Sequence, residues 1–204
     1  IWQQLKSLPE VEGTKYINPI TAQFFELNEQ NLKELLEQAP LELTDGFRQH
    51  TVELPIPMPD GSIEVFAIYN SPVMAPGLGA RYPAITTYGG KSTTDSKANI
   101  RIDLTQKGFH AMILRLGETV FVDPITDQNT GVYQSYYKSD FYQTEPDFVC
   151  LTNHNDDIVD DLATVQTGDQ LRTYRLAVAT TVEYTNFHGG SVADGLAAVV
   201  TSVN

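Results

Sequence analysis

From about residue 47 to residue 138, Gly, Pro, Asn and Asp repeatedly interrupt short apolar and aromatic runs. Runs of this length, each closed by a turn residue, read as strands of a mainly antiparallel β sandwich or roll. Thr51–Ile56 and Ser62–Tyr69 flank Pro59-Asp60-Gly61. There Pro presets φ and Gly accepts a positive φ, so the two runs are expected to pair as a hairpin. Further strands are expected over 84–88, 100–104, 109–116, 119–122 and 131–137. Ten tyrosines and eleven prolines fit a β-rich chain with many turns.

The flanks follow a different period. Leu32, Leu35, Leu36 and Ala39 recur at helical spacing, with Asn28 or Asn31 as cap and Pro40 as stop, predicting a helix over 28–39. Near the other end, Leu171–Thr180 finishes in an almost wholly apolar run and predicts a strand over 172–182. Phe187-His188-Gly189-Gly190 then reads as a turn. Ser191 and Asp194 form a capping-box-like pair, and Val192, Leu196, Val199, Val200 and Val203 share one helical face, predicting a helix over 191–203. A strand followed by such a helix resembles the opening of an α/β domain. So short a piece buries too little to be stable alone, so it is expected to dock on the β-rich region or on a partner.

Charge narrows the functions available. The net charge is −13, so a nucleic-acid partner is not expected, because phosphate binding needs a basic face. Residues 1–138 hold 16 acids and 11 bases, residues 139–171 hold eight acids and no Lys or Arg, and residues 172–204 hold two of each. Asn155-Asp156-Asp157-Ile158-Val159-Asp160-Asp161 reads as a solvated linker. Its competing reading as a calcium loop lacks EF-hand spacing and the required glycine. No apolar run approaches the roughly 20 residues of a bilayer span, so no membrane span is expected. The chain begins at Ile1, and its start is expected to be trimmed. The single cysteine, Cys150, excludes an intrachain disulfide and a multi-Cys zinc cluster.

No self-contained catalytic motif is legible. His50, His110, His154 and His188 are scattered and form no His-Glu-x-x-His. Gly-x-Ser-x-Gly, a Walker loop and a dinucleotide fingerprint are absent, and Gly77-Leu78-Gly79 is too short a signal to count. His110, between Phe109 and Ala111, reads as a structural histidine within a strand, and His188 as a turn residue. Asp103 and Asp123-Pro124 read as sheet-surface and turn carboxylates. Tyr133, Tyr136, Tyr137 and Tyr142 form the one aromatic cluster. In a strand Tyr133 and Tyr137 share a face that Tyr136 opposes. This cluster supports an alternative reading, a free-standing β-sandwich module that binds carbohydrate or protein.

The stretch Leu171–Asn204 resembles the start of the catalytic domain of bacterial secreted reprolysin-like metalloproteases, within the metzincins. Residues 1–150 resemble the preceding pro-domain at Ser71-Pro-Val-Met-Ala-Pro76, Tyr82-Pro-Ala-Ile-Thr-Thr-Tyr88, Gly108-Phe-His-Ala-Met112 and Asp123-Pro124. The resemblance implies an α+β chain with three parts. These are a β-rich pro-domain over 1–150 with a short N-terminal helix, an acidic linker over 151–170, and a strand–helix fragment of an α/β metzincin domain over 171–204. It further implies a secreted bacterial zymogen whose parent hydrolyses peptide bonds, with the remainder of its own catalytic domain as partner. Zinc is implied for the parent, and no tight zinc binding is expected of this chain alone. No catalytic residue carries over, because the family's His-Glu-x-x-His-x-x-Gly-x-x-His does not occur here. Cys150 acquires a role as a thiolate that silences the parent's zinc, since an open fourth position is what makes such zinc catalytic. Its other reading is a small buried apolar residue between Val149 and Leu151. Cleavage would fall around Asp156, Asp157, Asp160 and Asp161.

Overall fold

The computed structural model describes residues 1–141 and 175–204. The chain divides into two compact units, Ile1–Tyr142 with Thr180–Asn204, and Gln143–Ala179. The first unit contains strands β1 (Trp2–Leu5) and β2 (Gln23–Leu27), helix α1 (Glu29–Leu36), strands β3 (Val52–Pro57) and β4 (Ile63–Asn70), and the single turn α2 (Pro76–Gly79). Strands β5 (Thr86–Ser92), β6 (Asn99–Thr105), β7 (Gly108–Arg115), β8 (Glu118–Pro124) and β9 (Val132–Tyr137) follow, and helices α3 (Val182–Phe187) and α4 (Val192–Val203) end it.

All nine strands form one antiparallel sheet in the order β1-β2-β9-β8-β7-β6-β5-β4-β3. Strands β3 to β9 are a meander, and the β1–β2 pair adds along β9. Each of the seven strands expected between residues 47 and 138 is present. The β3–β4 hairpin closes as its residues require: Gly61 adopts φ +87° and donates its N–H to the Met58 carbonyl at 3.0 Å, while Asp60 Oδ1 accepts from Ser62 N at 2.9 Å. The mainly antiparallel β architecture thus stands, but the strands build one curled sheet and not the two facing sheets of a sandwich.

The curl has identifiable causes. Indole Nε1 of Trp2, on edge strand β1, donates to the Pro55 carbonyl of the opposite edge strand β3 at 2.8 Å. Ser135 Oγ donates to the Pro57 carbonyl at 2.9 Å. The two edges therefore approach one another, and alternate side chains point into the space between them. Leu54, Ile56, Phe66, Ile68, Ile102 and Phe109 are fully buried there, each stabilising the fold by roughly 1.5–3 kcal/mol. Trp2 meets Phe109 and Tyr133 edge-on, with ring centroids 5.5 Å away in each case. Helix α1, capped by Asn28 Oδ1 accepting from Asn31 N at 3.0 Å, adds Leu32 and Leu36 to the same core.

The C-terminal expectation needs correction. Residues 175–181 carry no regular secondary structure, and α3 begins at Val182, so the strand expected over 172–182 is absent from its described part. Among the described residues no strand pairing includes this run. Thr181 instead caps α3, its Oγ1 accepting from Tyr184 N at 3.2 Å. The expected helix does form, and Ser191 Oγ accepts from Asp194 N at 3.1 Å. Its buried face is Gly195, Ala197 and Val200, however, while Val192 and Val203 point outward. Close packing explains the choice: a Cβ at Gly195 would lie 3.2 Å from Thr185 Oγ1 of α3. Among the described residues no helix is long and apolar enough to cross a membrane.

Candidate functional site

The convex face of the sheet carries polar residues where a solvated surface was expected. Thr87 pairs with Asp103, Asp103 with His110, and Asp123 with Gln134. The Ala111–Val122 register brings His110 alongside Asp123. One polar row therefore crosses β5 to β9. Its members are buried: Asp103 is 3% exposed, Asp123 8% and Gln134 0%. The reading of Asp103 and Asp123 as surface and turn carboxylates is thus overturned. Both lie beneath chain that the sheet itself does not provide.

Two segments supply the cover. From the N-terminal side, the Ile17 carbonyl accepts from Gln134 Nε2 at 3.1 Å and the Glu12 carbonyl accepts from Thr126 Oγ1 at 2.8 Å. From the C-terminal side, α4 places Thr201 Oγ1 2.7 Å from Asp103 Oδ2, and Asn204 Nδ2 2.8 Å from the Ile102 carbonyl. Ala197 and Val200 of α4 bury themselves with Ile85, against which Met74 and Tyr82 pack.

His110 sits between two carboxylates. Its Nδ1 lies 3.1 Å from Asp103 Oδ2, the same oxygen that accepts from Thr201. Burial pushes the imidazole pKa down, but the Asp103 hydrogen bond and the Asp103 and Asp123 charges outweigh it, so the net direction is upward. Burial also pushes the Asp123 carboxyl up, against the lowering effect of His110 and of the Tyr136 hydroxyl, which donates to Asp123 Oδ2 at 2.7 Å. The Tyr136 phenol is raised by burial and then by the Asp123 charge.

A cavity of about 400 Å³ opens over this row. Tyr16 and Ile17 form one wall, His110 and Asp123 lie within the sheet wall, and Phe187, His188 and Ala197 belong to the helix wall. Tyr16 and Phe187 rings meet across it at 5.8 Å. Lys107 also lines the cavity; its charge, after burial, holds the His188 pKa below the ordinary value. Among the described residues no hydroxyl or thiol hydrogen-bonds to His110, so no nucleophile–base pair is assembled. The arrangement presents the His110 imidazole and the Asp123 carboxyl to a half-open cavity.

The residues singled out in the sequence fare unequally. Cys150 and Asp156, Asp157, Asp160 and Asp161 lie outside the described residues, as do His154 and Tyr142. Tyr133 and Tyr136 do fall on opposite faces, Tyr133 in the core and Tyr136 over Asp123, and both are buried. They form no open binding surface. Among the described residues no three His, Cys, Asp or Glu side chains come together as a metal site, so no zinc chemistry is derived from them. The row itself escaped the sequence reading. All but Asp123, read as a turn residue just past the strand expected over 119–122, were visible inside strands, but only the register of four strand pairs aligns them.

No known protein family matches the chain, and neither a curated protein nor a solved structure shows significant similarity to it.

Proposed function

We propose that this chain is the pro-region of a secreted bacterial zinc metalloprotease zymogen together with the first part of its catalytic domain. In this reading the β-rich region assists folding and keeps the protease latent. The observation that supports it is the seating of α4. Its small residues and Thr201 lie on the sheet, while Val192 and Val203 on the same helix, and Val182 on α3, remain exposed. An apolar helix surface open on one side and docked on the other suits a segment shared between a pro-domain and the body of an enzyme. The zinc would be held by residues other than those described here. Cys150 is the candidate thiolate over it, and cutting within 151–170 would separate the two parts.

The test is a zymogen assay. The reading frame continuing past codon 204 should encode His-Glu-x-x-His-x-x-Gly-x-x-His, and the full product should show zinc-dependent proteolysis only after cleavage. Cys150→Ser should then raise basal proteolysis of the uncleaved zymogen, because a neutral hydroxyl is a far poorer zinc ligand than a thiolate. A frame that stops without the motif overturns the proposal. A frame with the motif but unchanged latency in the Cys150 variant removes the thiolate role alone.

A further inference from the structure

We propose that the protonated imidazole of His110 latches α4 onto the sheet, so that the helix lifts from the polar row when His110 loses its proton. The inference concerns this chain alone and is independent of the protease reading. It starts from one shared oxygen. Asp103 Oδ2 accepts from Thr201 Oγ1 of α4 at 2.7 Å and lies 3.1 Å from His110 Nδ1 of β7. The contact that seats the helix and the contact that compensates Asp103 therefore meet at a single atom.

The cover explains why the proton matters. Thr201 lies on Asp103, and Ala197, Ala198 and Thr201 of α4 line one cavity with His110 and Asp123. Both carboxylates are buried, and among the described residues neither forms an ion pair with Lys or Arg. His110 is the positive group set between them, and keeping both acids from water without it is unfavourable. With α4 in place, the Asp103 hydrogen bond and the charges of the two acids outweigh the burial of the imidazole, and its pKa is raised. Burial raises the Asp123 carboxyl as well. Water admitted beneath a lifted helix screens these effects and returns both groups toward their ordinary values. Each group holds its proton more tightly when covered, so proton loss favours uncovering.

The other titratable groups around His110 do not take over this role. Tyr16 of the N-terminal segment, Lys107 of the β6–β7 turn, Asp127 beyond β8, His188 beyond α3 and Asp194 of α4 line the cavity with it. Lys107 bears on His188 and Asp194. His188 is held below 6.5, so it is neutral before His110 titrates. Asp194 is lowered by its Ser191 hydrogen bond and stays ionised. Asp127 Oδ1 accepts from Thr14 N. Tyr136, which donates to Asp123, is raised by burial and keeps its proton.

Amide exchange of the whole chain across a pH series tests the latch, read as protection factors so that the base catalysis of exchange itself is divided out. Protection of 192–203, relative to β5 to β8, should fall at least about fivefold as the pH rises from below 6.5. His110→Gln, which carries no charge, should show the low helix protection at every pH. Asp103→Asn removes one of the two acids yet leaves Thr201 an amide oxygen to donate to. It should keep α4 protected throughout, and it decides the matter if His110→Gln does not fold. Helix protection that stays level or rises while the sheet remains folded overturns the proposal. So does a loss that proceeds equally in helix and sheet, high helix protection in folded His110→Gln, or a fall that Asp103→Asn leaves undiminished.

Discussion

The surroundings of His110 give it a measurable consequence. The folded chain holds the His110 proton more tightly than the ordinary value of 6.5 implies. Its contribution to stability is complete below that value and is lost as the pH rises through the raised one. Asp123 acts in the same direction, because its folded pKa is raised above 3.8 and stability declines as the pH climbs through it. Asp60 and Asp194 act oppositely. Their serine hydrogen bonds, to Ser62 and Ser191, lower their pKa values, so their contributions hold above 3.8 and fade on stronger acidification. The melting temperature should therefore fall as the pH rises above about 6.5, and His110→Gln should flatten that slope. A midpoint that rises over this interval, or a slope that His110→Gln leaves intact, contradicts the account.

At the scale of elements, α4 is the piece on whose seating the proposed function rests. A few small contacts hold it: Ala197 and Val200 against Ile85, and Thr201 on Asp103. Thr201→Val removes a hydrogen bond to a charged acceptor and should cost about 1.5–3 kcal/mol. Because so few contacts hold α4, the loss should show as local release rather than global unfolding. Amide exchange in 192–203 should quicken while β5 to β8 keep their protection. Uniform quickening across both would show that helix and sheet open as one unit. The helix was legible because Ser191, Asp194 and the valines announce it. Its buried face was not, since the valine stripe gave no weight to Gly195 and Ala197, whose small size lets the helix approach closely.

For the whole molecule, curling one sheet until its edges meet replaces the second layer a sandwich would need. Trp2 is the residue at that seam, bonded to Pro55 and packed on Phe109 and Tyr133. Trp2→Ala should lower stability by about 3 kcal/mol, toward the low end for a large aromatic because Trp2 keeps some exposure. Urea unfolding monitored by far-ultraviolet circular dichroism measures this, and a loss below about 1 kcal/mol would mean the edges close without it. Residues 2–5 gave no strand signal in the sequence. Trp2-Gln3-Gln4-Leu5 is a strand only because β2 offers it a ladder and Pro55 offers its indole an acceptor.

What the sequence determined by itself was local: seven strands of the meander, the Pro59-Asp60-Gly61 hairpin, the Ser191 cap, the choice of Asn28 or Asn31 as the other cap, and the helices behind them. These follow from φ preferences, alternation and capping, which act over a few residues. Only the tertiary structure decided that the strands make a single curled sheet, that the run ahead of Thr181 is not a strand, and that Asp103, His110, Asp123 and Gln134 stand in one buried row. Those outcomes depend on which strand pairs with which and at what register. Register is set by packing between residues far apart in the chain, and no window along the sequence contains both partners.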